Sequence, residues 1–71
     1  MTPTMQKFIE HNAQHKIVEG ARLTPEAKRV KTRDDMARSN LIEYRFEDGE
    51  SFTLSRTDLR SAPDYKPIWI D

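Results

Sequence analysis

The chain has 71 residues, no cysteine, and 12 Lys/Arg against 12 Asp/Glu. That length allows one domain, residues 1–71, with a marginal core, and no disulfide or thiolate metal site can supplement it. With 35% apolar and 34% charged residues, the expectation is a compact part plus a segment that stays mobile or orders on a partner. The missing cysteines fit a reducing cytoplasm, no apolar run is long enough to span a bilayer, and the start, Met1 to Lys7, lacks the apolar core of a secretory signal.

Thr2 or Thr4 can cap a first helix with Pro3 near its start. The helix is expected from about Met5 to Gln14, with Met5, Phe8, Ile9 and Ala13 as its apolar stripe and Asn12 off it. Ile17 and Val18 suit a brief strand that Gly20 ends or bends. Thr24, Pro25 and Glu26 then have the order of an N-cap, a first helical residue and an acidic first turn. A second helix could follow to about Arg38, but Ala27, Val30, Met36 and Ala37 give it little to bury. Residues 22–38 therefore read as a basic exposed helix or flexible segment.

The hairpin that follows can be placed by parity. Ile42, Tyr44 and Phe46 share one strand face, and Phe52 and Leu54 share one face of the next strand. A two-residue turn at Asp48-Gly49 would put these sets on opposite faces. A three-residue loop, Glu47 to Gly49, pairs Tyr44 with Phe52 and Ile42 with Leu54, so all five point the same way. The pattern predicts a type I turn with Gly49 in the left-handed region, forming a G1 bulge. Ser55 or Thr57 then caps a short helical turn with Asp58 near its start, and Pro63 ends it. The tail from Tyr65 to Ile70 is β-prone, and Pro67 confines it to an edge. Tyr65 with Ile68 or Ile70 is expected to pack on the hairpin, with Trp69 left open. The fold class is small α+β: a hairpin, extended to three antiparallel strands by residues 16–19 or 65–70, with the N-terminal helix on its apolar face.

Catalytic constellations are not evident. His11 and His15 lie four apart, a possible metal pair, but Asn12 stands where a zinc-protease motif has glutamate and no third ligand is near in sequence. They read as solvent-facing, and no metal or cofactor is expected. Asp34-Asp35 and the acids of the Glu47–Glu50 turn read as surface groups rather than an acid–base pair. There is no Gly-x-Ser-x-Gly elbow, and Gly20 and Gly49 alone cannot build a phosphate loop.

Charge is divided: residues 1–40 have eight basic and five acidic groups, and residues 41–71 have four and seven. Arg22, Lys28, Arg29, Lys31 and Arg33 form the basic cluster, which suits an acidic protein surface or phosphates. The alternative is a solvated face with internal pairs such as Lys31 and Asp35 at i and i+4. The acidic hairpin disfavours nucleic acid as the main partner. Phe8 and Trp69 are the rings available as anchors. The expected partner-binding residues are thus Phe8, Arg22, Lys28, Arg29, Lys31, Arg33 and Trp69.

In its size, lack of cysteine, divided charge and the segment Arg22-Leu23-Thr24-Pro25-Glu26-Ala27-Lys28-Arg29, the chain resembles the small phage-encoded regulators that bind host RNA polymerase. Phe46 to Leu54 followed by Asp58-Leu59-Arg60 is similar to the strand-turn-strand-helix of small bacterial domains. The first resemblance implies a non-enzymatic, monomeric regulator in the host cytoplasm that modulates or inhibits transcription, with nucleic acid as a secondary contact. Direct nucleic-acid binding, or inhibition of a host nuclease or defence complex, are the alternatives.

Overall fold

The computed structural model describes residues 1–23, 29 and 40–71. The described elements are helix α1 (Pro3–Asn12), strands β1 (Ile17–Arg22), β2 (Leu41–Phe46) and β3 (Ser51–Ser55), and the short helix α2 (Arg56–Arg60). The strands form an antiparallel sheet in the order β1-β2-β3. This is the small α+β fold expected from the sequence.

Helix α1 begins earlier than the apolar spacing suggests, because Pro3 takes the first helical position and the Thr2 hydroxyl accepts the Met5 N–H at 3.1 Å. The same Thr2 hydroxyl donates to Asp58 Oδ1 at 2.6 Å. Asp58 Oδ2 accepts the Ser55 N–H, and Ser55 Oγ accepts the Asp58 N–H, a reciprocal capping box at the start of α2. One carboxylate therefore ties together the first turns of both helices.

The hairpin has the predicted register. Tyr44 lies opposite Phe52 and Ile42 opposite Leu54. Gly49 has φ +91°, and its N–H donates to Phe46 O at 3.0 Å while the Phe46 N–H donates to Glu50 O. A side chain at Gly49 would strain this left-handed backbone.

The core lies between this face of the sheet and the helices. Phe8 is 0% exposed, and its ring centroid lies 5.2 Å from that of Tyr44, 5.6 Å from Phe46 and 6.0 Å from Phe52. Met5, Ile17, Ile42, Leu54, Leu59 and Ala62 complete the buried cluster. The α1 stripe differs from expectation at its end: Ala13 is exposed and Asn12 is buried. Asn12 is seven residues after Met5 and four after Phe8, so it falls on the same helical face. Its Nδ2 donates to the carbonyls of His15 and Ile68, and its Oδ1 accepts the Tyr65 hydroxyl and the Ile68 N–H. All four hydrogen-bonding positions of the amide are used. Burial raises the Tyr65 phenol above its ordinary pKa, which keeps it protonated as the donor to Asn12.

The tail is fixed by that amide and by β1. The Ile17 N–H donates to Ile68 O, and the Ile70 N–H donates to Ile17 O, forming a parallel bridge at the outer edge of β1. The inward ring is Trp69, not Ile68 or Ile70, which are 46% and 48% exposed. Trp69 closes over Gly20, which is an interior strand residue rather than its end. A Cβ on Gly20 would lie 2.9 Å from both Trp69 Cη2 and Tyr44 Cε1, so only glycine permits the indole to lie this close. Among the described residues no helix is long and apolar enough to cross a membrane.

Candidate functional site

The far face of the sheet is polar. Glu19 lies opposite Arg45 across the β1–β2 pair, and Arg45 Nη2 donates to Glu19 Oε2 at 2.6 Å. β1 bulges between Ile17 and Glu19. This puts Val18 out of the regular alternation and leaves it exposed.

Beside the bulge the edge of β1 opens into a recess of about 550 Å³. The Ile68–Ile70 tail covers the edge at Ile17, and Arg29 bridges it at Ala21. Between these two coverings, Val18, Glu19 and Gly20 form the floor, with Trp69, Ile70, Arg29 and Arg45 around it. Trp69 is half-buried, set against Gly20 and with its ring centroid 5.9 Å from that of Tyr44. Arg29 is exposed and makes no ion pair with a described residue. The site therefore joins apolar surface, one indole and two guanidinium groups at a strand edge.

This placement sorts the residues expected at a partner surface. Arg29 and Trp69, 40 positions apart in sequence, meet in one recess. Arg22 ends β1 opposite Ile42, is half-buried on the helix side of the sheet, and does not line the recess. Phe8, expected as an anchor, is enclosed in the core and presents no surface to a partner in this fold. Lys28, Lys31 and Arg33 lie outside the described residues, as do the Thr24 cap, the Lys31–Asp35 pair and the helix expected to about Arg38. Arg45, Val18 and Ile70 were not anticipated at the site. The outward parity of Arg45 in its strand was the one signal available for it.

The histidines also depart from expectation. Neither is fully solvated: the His11 ring packs 4.6 Å from Phe46 and 5.2 Å from Phe52, and 4.8 Å from His15. Asp48 from the β2–β3 turn approaches both, with Oδ2 3.0 Å from His11 Nε2 and 3.6 Å from His15 Nε2. Desolvation acts to raise the Asp48 carboxyl, but the Glu50 N–H and the two imidazoles outweigh it and hold it below its ordinary pKa.

No protein family, curated protein or solved structure matches the chain.

Proposed function

We propose that this protein is a non-enzymatic binding protein that docks through the β1-edge recess onto a larger protein assembly, with RNA polymerase the assembly to test first. The observation that carries this reading is the meeting of Arg29 and Trp69 in the recess beside β1. Partner interfaces concentrate affinity in tryptophan and arginine, because an indole buries much apolar area and a guanidinium adds directed bonds to carboxylates. The matching surface is an acidic, partly apolar segment of the partner, steered by the basic half of the chain. Regulation or inhibition of transcription, in a host cytoplasm, is the consequence proposed from the likeness to phage regulators.

Direct nucleic-acid binding is the second reading, since an indole beside guanidinium groups also stacks with bases. The zero formal net charge of the chain gives little general attraction for a polyanion, which favours a protein partner.

The test is binding of the full chain to purified bacterial RNA polymerase at low and high salt, alongside Arg29→Glu and Ile70→Glu, both at exposed positions. The expected result is salt-sensitive binding that each variant weakens by about tenfold or more, equivalent to roughly 1.4 kcal/mol. Absence of polymerase binding would remove that partner. Unchanged affinity in both variants would remove the recess as the docking surface. A mobility shift with nucleic acid alone, abolished by Arg29→Glu, would favour the second reading.

A further inference from the structure

We propose that His11, His15 and Asp48 form a binding site for a divalent transition-metal ion of the zinc type. The two imidazoles stand one helical turn apart at the end of α1, where the His15 N–H still donates to His11 O at 2.9 Å. Their Nε2 atoms converge on one carboxylate oxygen, and the three ligand atoms all lie within 4.8 Å of one another. Tetrahedral zinc with bonds of about 2.0–2.1 Å sets its ligand atoms about 3.3 Å apart. The two nitrogen–oxygen separations, 3.0 and 3.6 Å, bracket that spacing. The remaining pair, the two imidazole nitrogens, lies within 4.8 Å.

The ligands are held before any ion arrives. Asp48 Oδ1 accepts the Glu50 N–H at 3.2 Å, which leaves Oδ2 for the site. The turn bearing Asp48 is clamped to the end of the helix: the Glu47 N–H donates to Lys16 O, and the Lys16 N–H donates to Glu47 Oε2 at 2.7 Å. Phe46 and Phe52 back the His11 ring. His11 Nε2 is closed off from solvent and faces Asp48 Oδ2 at 3.0 Å. Two imidazoles and a carboxylate select zinc-like ions over magnesium or calcium, which favour all-oxygen sites. Three protein ligands leave a fourth position for water or a group on another molecule. A shallow depression between Lys7, Glu10, Gln14 and Phe52 adjoins His11.

The test is calorimetric titration of the full chain with zinc chloride near neutral pH, with magnesium chloride as the comparison. Histidine proton and nitrogen resonances are followed by NMR in the same titration. His15→Gln and Asp48→Asn are the variants, since the first alters an outer ring and the second keeps an acceptor for the Glu50 N–H. The expected result is one zinc ion per chain, no magnesium binding, shifts at both imidazoles, and affinity reduced by about tenfold or more in each variant. Thermal unfolding without metal confirms that the variants fold. Absence of zinc binding to the wild-type chain, or full affinity retained in both folded variants, would overturn the proposal and leave the cluster as an ion pair that fastens the turn.

Discussion

The two stretches of β1 face different surroundings. At Ile17 the backbone is bonded on its outer side to the Ile68–Ile70 tail, and the neighbouring helix end is held to the same tail by the Asn12 amide. Three residues on, at Gly20, the strand runs beside a recess lined by a half-buried indole and the exposed Arg29. The first stretch is where chain ends and turn are tied together, so its side chains are committed to the fold. The second has groups that the fold places but does not use up. Substitutions at the first should act on stability, and substitutions of the exposed groups at the second should act on binding.

The largest expected effect is at the closed end. Asn12→Ala removes a buried amide and leaves the Ile68 N–H and carbonyl, the His15 carbonyl and the Tyr65 hydroxyl without that partner. At about 1–3 kcal/mol for each buried group left unsatisfied, partly offset by water entry, the loss should be roughly 3 kcal/mol. Denaturant unfolding measures it, and that loss is a large share of the roughly 3–5 kcal/mol a core of this size supplies. Next is Gly20→Ala, which places a methyl group 2.9 Å from two rings. Displacement of Trp69 should cost about 1–3 kcal/mol. Trp69 is the sole tryptophan, so its fluorescence should report greater exposure in this variant. If emission and stability were unchanged, the closeness of Trp69 to the strand would be disproved.

A smaller effect comes from the joint between the helices. Ser55→Ala should cost about 1 kcal/mol as a lost N-cap. Desolvation acts to raise the Asp58 carboxyl, but bonds from the Ser55 N–H and the Thr2 and Ser55 hydroxyls outweigh it, and its pKa is lowered. A carboxyl with a depressed folded pKa adds stability in full above its unfolded value of about 3.9. That contribution disappears as pH falls through the folded value. The thermal midpoint of the wild type should therefore drop more steeply than that of Asp58→Asn between about pH 5 and about pH 2. The smallest stability effect is at an exposed side chain of the open stretch. Arg29→Glu should change unfolding free energy by less than about 0.5 kcal/mol, while partner affinity falls. A large stability loss there would erase the contrast between the two stretches.

How much of this was legible in the sequence follows from the range of the interactions. The hairpin register could be worked out because parity and the glycine turn are local: one loop length alone puts Tyr44, Phe46 and Phe52 together. The caps at Thr2 and Ser55 are also local. Asn12 read as a surface residue because the groups that satisfy it come mainly from Tyr65 and Ile68, more than 50 positions away. Trp69 could not be oriented by tail alternation, since its direction is set by a single parallel bridge to Ile17 and the space above Gly20. Asp48 is more than 30 positions from the histidine pair in sequence, and only the clamp of the turn to the helix end through Lys16 and Glu47 brings them together. Charge sequence alone grouped Arg22 with Arg29, but only Arg29 lines the recess.

The most direct test of docking at the recess uses Trp69 itself. Labelling the full chain with 5-fluorotryptophan gives a fluorine signal from the only tryptophan present, and purified RNA polymerase is added as the partner. Docking at the recess should shift or broaden this signal on addition, and Arg29→Glu should suppress the change. Polymerase binding with the Trp69 signal unaltered would contradict it.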